Sequence, residues 1–188
     1  MEHTTCDCSA PSRQHVADCL SQEKLPLDRI LEAGSKLSSL LSETSQCERC
    51  IRTKSISKWF IQATIRLICF YEAATNQTLP DRDIAGFGLT SSPHGQQLAW
   101  PTSPSPEMKL GGLSINEVEG RLLVKLALIE ACSDLSDKIQ VWKVAAEESW
   151  EATEQAYRGH YNDQILGRCL ELLAKLVGLL QLDGPVVT

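Results

Sequence analysis

The chain has 188 residues, 43% of them hydrophobic and 22% charged, which is ordinary for a globular protein. This length suits one domain with a single sizeable core, and the composition excludes wholesale disorder and collagen-like repeats. Eighteen Lys and Arg against 24 Asp and Glu give a net charge of −6, so the whole chain lacks the basic character of a nucleic-acid-binding domain.

Apolar residues recur at helical spacing in two blocks, 13–76 and 114–182, with a loop at 76–111 between them. No run of alternating β-branched residues interrupts the pattern. We therefore predict an all-α fold, a bundle of four to five helices forming one domain over residues 13–182. Polar tails are expected at 1–12 and 183–188.

The first block begins with a short amphipathic stretch at residues 16–20, which Pro26 terminates. Asp28 is placed to act as the N-cap of a second helix. Gly34 lies inside that helix and would let a neighbouring helix approach closely. The polar stretch 42–52 is expected to be a connection.

The next helix, over residues 56–74, is apolar on two faces, as is typical of a central helix packed by several neighbours. Its first stripe consists of Ile56, Trp59, Phe60, Ala63, Leu67, Phe70, Tyr71 and Ala74, and its second of Ile61, Ile65 and Ile68.

The loop at 76–111 holds five of the eight prolines and four glycines, and Gly112 follows directly. Loops this long are unusual inside a compact domain and are usually functional or disordered. Trp100 lies in it and is a candidate contact for a protein partner, although such an aromatic can equally pack on the core.

The last block opens with a capping box, Ser114 to Glu117, and continues without Pro or Gly from residue 121 to 158. Residues 158–162 are the expected break before a final helix. That helix, Ile165–Leu182, is amphipathic enough to serve either a dimer or an intramolecular bundle.

The long helix of this block carries two apolar stripes. One consists of Leu122, Leu126 and Ile129, and the other of Leu128, Cys132, Leu135, Ile139, Trp142 and Ala146.

The eight cysteines raise the question of a metal site, and the spacing of Cys47 and Cys50 suits a zinc-binding pair. With Cys6 and Cys8 they would supply four thiolates. The alternative is that these pairs are surface thiols in loops, and that the others are small hydrophobic residues on helices. Those others are Cys19, Cys69, Cys132 and Cys169. We expect no bound metal and no cofactor.

No catalytic constellation is recognisable, because the chain has no phosphate-binding glycine motif and no Cys–His or Ser–His signature. We therefore assign no catalytic residues. A small all-α enzyme binding an apolar substrate between helices remains the alternative, with the aromatic side chains lining its pocket. We expect those aromatic side chains to pack in the core instead.

Two charged stretches are candidate partner contacts. Arg49, Arg52, Lys54 and Lys58 form a basic run suited to a phosphate or an acidic partner. Trp150 lies in an acidic stretch suited to a contact with transcription machinery. Either stretch can also be an ordinary solvated helix face.

The first twelve residues lack the apolar core of a signal peptide, and no window has the ~18 consecutive apolar residues of a membrane span. We therefore expect a nuclear or cytoplasmic protein with reduced thiols and no membrane contact.

A Leu-rich helix over residues 27–41 leads to the turn Cys47-Glu-Arg-Cys50, and an apolar helix then ends in Phe70-Tyr-Glu-Ala-Ala74. This order resembles the regulatory domain of the fungal aflatoxin regulatory protein family, and the resemblance extends over roughly residues 16–180. It implies transcriptional regulation of secondary metabolism, including mycotoxin biosynthesis.

Members of that family usually carry an N-terminal Zn2Cys6 DNA-binding cluster, which Cys6, Cys8 and Cys19 do not match in spacing. The resemblance therefore implies a regulator that works through protein partners, such as a transcription factor or a second copy, rather than by direct DNA binding. The chain would be a stand-alone regulator or a fragment of a larger factor.

Overall fold

A computed structural model describes residues 10–79, 109–110, 113–114, 116–150 and 156–182. The helices are α1 (Ala10–Leu20), α2 (Leu27–Ser45), α3 (Glu48–Arg52), α4 (Lys54–Thr78), α5 (Glu117–Trp150) and α6 (Ala156–Leu182). A small antiparallel hairpin of β1 (Lys109–Leu110) and β2 (Leu113–Ser114) pairs Lys109 with Ser114. The predicted all-α bundle is confirmed. Most of the predicted central loop, residues 80–108, lies outside the described residues.

Helix α4 is the centre of the bundle, because it contacts each of the other five helices. Phe60, Leu67, Ile68 and Tyr71 are all at most 1% exposed. Both apolar stripes read from the sequence thus supply buried side chains, as expected of a central helix packed by several neighbours.

Helices α5 and α6 complete the core with long apolar stripes that face inward. The α5 side chains Leu128, Cys132, Leu135, Ile139 and Trp142 are all 0% exposed. The buried α6 side chains are Leu166, Cys169, Leu172, Leu173, Leu176 and Leu180.

The prediction that Asp28 is the N-cap of α2 is wrong. Pro26 occupies that position in extended conformation, and its carbonyl accepts hydrogen bonds from Arg29 N at 3.0 Å and Ile30 N at 3.1 Å. Asp28 lies within the first turn, where a carboxylate still interacts favourably with the helix dipole.

The connection expected over residues 42–52 is largely helical. Helix α2 continues to Ser45, and the Cys47 carbonyl then accepts a hydrogen bond from Ile51 N at 3.1 Å, which opens the short helix α3. Cys50 and Ile51 are 0% and 4% exposed, so the burial of two apolar side chains stabilises this turn.

The capping box of α5 lies two residues later than predicted. Glu119 N donates to Asn116 Oδ1 at 2.9 Å, and Asn116 N donates to Glu119 Oε2 at 3.3 Å. Ser114 cannot be the cap because it lies in β2. The same reciprocal pattern thus forms two residues further along, with the backbone amides of Asn116 and Glu119 as the donors.

The break expected at residues 158–162 is also wrong, because α6 is helical from Ala156 onward. A glycine inside a helix costs only about 1 kcal/mol relative to alanine. Gly159 is therefore too weak a signal to end a helix whose later turns are buried.

Arg66 of α4 ties the first helix to the bundle. Its Nε donates to Leu20 O and its Nη2 donates to Gln22 O, both at 3.2 Å. The guanidinium carbon also lies 5.1 Å from the centre of the Phe70 ring. One side chain thus holds the end of α1 and the turn after it.

Candidate functional site

The four cations predicted as partner contacts lie at the junction of α3 and α4, and we call them the basic corner. Arg49 and Arg52 come from α3, Lys54 and Lys58 from α4, and all four are exposed. Thr53 links the two helices and donates its hydroxyl to Arg49 O at 2.7 Å. The structure therefore places all four predicted cations at exposed positions of two adjoining helices.

An open groove of about 320 Å³ borders this corner. It is lined by Ser45, Gln46, Glu48, Ile51, Arg52, Ala145 and Glu148. Arg52 pairs with Glu48 at 2.6 Å, so the groove itself presents carboxylates as well as a guanidinium. An acidic partner would therefore meet Arg49, Lys54 and Lys58 outside the groove, whereas Arg52 lines the groove and pairs with Glu48.

The cysteine pair Cys47 and Cys50 does not lie on the surface as expected. Cys50 is completely buried in α3, and Cys47 is partly buried at the start of that helix. Cys6 and Cys8 lie outside the described residues. In the described ranges, no three His, Cys, Asp or Glu side chains are grouped so that they could hold a metal ion.

The remaining cysteines pack in the bundle, as predicted. Cys19, Cys132 and Cys169 are at most 6% exposed, and Cys69 is partly buried. Burial raises the pKa of Cys132 to about 12 and that of Cys169 to about 11. These thiols therefore stay protonated at neutral pH and are poor nucleophiles or metal ligands.

The described aromatic side chains fill the core. The rings of Phe60 and Trp142 have centroids 5.7 Å apart, and Trp59 meets Phe60 edge-on at 5.0 Å. Trp59 is only partly buried, whereas Phe60, Phe70, Tyr71 and Trp142 are buried. Of the two tryptophans predicted as partner contacts, Trp100 lies outside the described residues. Trp150 ends α5, but its side chain is also outside them.

Among the residues whose exposure the structure describes, four exposed apolar side chains cluster on the first turns of α5, and the sequence did not single this cluster out. Val118, Leu122, Leu123 and Leu126 are 72%, 48%, 42% and 54% exposed, and we call them the α5 apolar patch. The sequence showed the stripe containing Leu122 and Leu126. Its exposure follows from the bundle, since the core occupies the other stripe of the same helix.

Three exposed carboxylates follow the patch along α5, namely Glu130, Asp134 and Asp137, and we call them the acidic row. They continue from Leu126 at steps of four, four and three residues, so they share the exposed side of the helix. Within the described part of the chain, none of the three takes part in a hydrogen bond or an ion pair.

No helix of the described residues is both long and apolar enough to cross a bilayer. Comparison with known proteins found no matching family model, no matching curated protein and no matching solved structure.

Proposed function

We propose that this chain is a regulatory protein of fungal secondary-metabolite biosynthesis that acts in transcriptional regulation through protein–protein contacts. The observation that carries the proposal is the α5 apolar patch, which stays exposed beside a core filled by aromatic and aliphatic side chains. Contiguous exposed apolar surface of this kind marks interaction sites. The biological setting comes from the sequence resemblance.

The exposed fractions fit a contact surface better than a catalytic cleft. Leu122 and Leu126 lie on a helix and are exposed to solvent, whereas the groove beside the basic corner is open and lined mainly by polar side chains. Substrate pockets for apolar molecules are concave and lined mainly by apolar groups. A partner protein is therefore the best-supported occupant.

Deletion of the gene in the native host tests the proposed setting. We expect transcripts of a secondary-metabolite gene cluster to fall together with its product. Loss of the product with unchanged transcripts would contradict regulation and would favour an enzymatic role in the pathway.

A point substitution tests whether the α5 apolar patch mediates this role. Leu122→Asp in a complementing copy should reproduce the loss of transcripts, because it places a charge where a partner must bury a leucine. Leu182→Asp is the matched control, since Leu182 is 74% exposed at the end of α6. Circular dichroism should show both variants folded. Equal complementation by both variants would show that the α5 apolar patch is not needed for this role.

A further inference from the structure

The exposed side of α5 combines two features. The α5 apolar patch occupies its first turns, and the acidic row of Glu130, Asp134 and Asp137 follows on the same side. From Val118 to Asp137 this surface runs for about 28 Å at 1.5 Å per residue, the length of a helix of roughly 20 residues. A partner helix of that length would cover both features.

The charges on this surface disfavour a parallel second copy of the chain as the occupant, because in register each carboxylate would face itself and like charges across an interface repel. An antiparallel second copy has registers, such as Leu122 opposite Leu126, in which Glu130 faces Val118 instead. Measurement of the oligomeric state therefore decides that orientation.

Charge complementarity instead favours a cationic partner. The three carboxylates of the acidic row lack an ion pair or hydrogen bond within the described residues, so cations from outside are free to pair with them. Lys or Arg side chains also have apolar stems that can cover leucine while their charged ends reach the carboxylates.

We propose that this side of α5 binds a basic amphipathic helix of another protein, whose apolar side chains cover Leu122 and Leu126 and whose Lys or Arg side chains pair with the acidic row. The proposal rests on the proposed function and specifies the chemistry of its partner. Recognition would follow the helix-in-groove mode, with apolar anchors and flanking charges.

Two synthetic helical peptides of 20 residues provide the probe. Both carry leucine on one side, and one has lysine and the other glutamate at the flanking positions. Binding of each fluorescein-labelled peptide to the full chain is measured by fluorescence anisotropy. The lysine peptide should bind at least tenfold more tightly than the glutamate peptide, with an affinity that falls as salt rises.

Variants of the chain locate the binding surface. Asp134→Lys/Asp137→Lys should weaken binding of the lysine peptide about tenfold or more, and Leu122→Asp should weaken binding of both peptides. Glu43→Lys is the matched control, because Glu43 is an exposed carboxylate on α2. It should leave the affinity unchanged.

Equal binding of the two peptides, no binding of the lysine peptide, or an equal effect of Glu43→Lys would overturn the proposal. So would a dimer in analytical ultracentrifugation that Leu122→Asp dissociates, since that would assign the patch to a second copy. These outcomes are separable from failure of the proposed function, which is decided by transcripts in the deletion strain.

Discussion

Glu72 is a carboxylic acid inside the central helix, with 6% of its surface exposed. Burial disfavours the charged form and raises its pKa above the ordinary value of 4.5. The folded chain therefore holds this proton more tightly than the unfolded chain does. The stabilising contribution of the protonated Glu72 carboxyl is fully present below its pKa in the unfolded chain and is lost as pH rises through its pKa in the folded chain.

Glu72→Gln should consequently be more stable than the wild type at pH 7, and the difference should shrink toward pH 4, where Glu72 is neutral too. Urea unfolding followed by circular dichroism at both pH values measures this. Glu43→Gln is the control on exposed α2 surface and should show little pH-dependent difference. An equal effect of Glu72→Gln at both pH values would show that burial does not disfavour the charged form of Glu72.

At the scale of elements, the contact between α2 and α4 requires glycine at position 34, because a side chain there would overlap Tyr71. The Tyr71 hydroxyl lies against Gly34, and a Cβ added there would overlap the hydroxyl oxygen and lie 3.2 Å from Tyr71 Cζ. Tyr71 is completely buried, so it has little room to move. The close approach expected from Gly34 in the sequence is confirmed.

Gly34→Ala should therefore lower the free energy of unfolding by about 1–3 kcal/mol, the usual cost of overpacking a core. Gly178→Ala is the matched control in α6, where nothing lies within 4 Å of the added Cβ. It should raise stability by about 0.5–1 kcal/mol through helix propensity. Both values come from urea titrations.

The combination Gly34→Ala/Tyr71→Phe separates overlap from a general effect on α2. Removing the hydroxyl should recover part of the loss, because the nearest overlapping atom is gone. Additive effects of the two substitutions would contradict the assigned contact.

Local pattern predicts these helices better than it predicts their ends. The stripe from Leu128 to Trp142 repeats over many turns, so its burial was readable from spacing alone. The start of α5 was not, because Ser114 and Asn116 both begin capping-box sequences and only the hairpin decides between them. The exposure of Leu122 depends on which stripe the other helices cover.

At the scale of the molecule, α4 contacts each of the other described helices, so we expect the bundle to unfold as one cooperative unit. Thiol reactivity reports this directly. Cys132 on α5 and Cys169 on α6 are both buried, and their pKa values of about 12 and about 11 keep them unreactive when folded. They should react only when the bundle opens.

Alkylation of both cysteines in increasing urea, read by mass spectrometry, should therefore follow the same transition as far-UV circular dichroism. Cys47, which is partly exposed, should react in the absence of urea and serves as the internal control. Modification of Cys169 well before the dichroism changes would show that α6 opens separately.

The all-α class was predictable at this scale because it needs only periodicity and the lack of strand patterns. The candidate site was not, because exposure and charge pairing are properties of the assembled bundle. Arg49, Arg52, Lys54 and Lys58 are close in sequence, and all four are exposed on the adjoining helices α3 and α4. That the acidic row and the α5 apolar patch share one exposed side is evident only once the buried side of α5 is known.

The two hydrogen bonds donated by Arg66 have a consequence for limited proteolysis. Both carbonyls that it binds, at Leu20 and Gln22, precede the exposed Lys24 in the turn between α1 and α2. A tryptic cut after Lys24 would therefore sever the backbone without releasing either hydrogen bond or exposing buried Val16. The nicked protein would keep α1 as a noncovalent fragment, separating only on a denaturing gel.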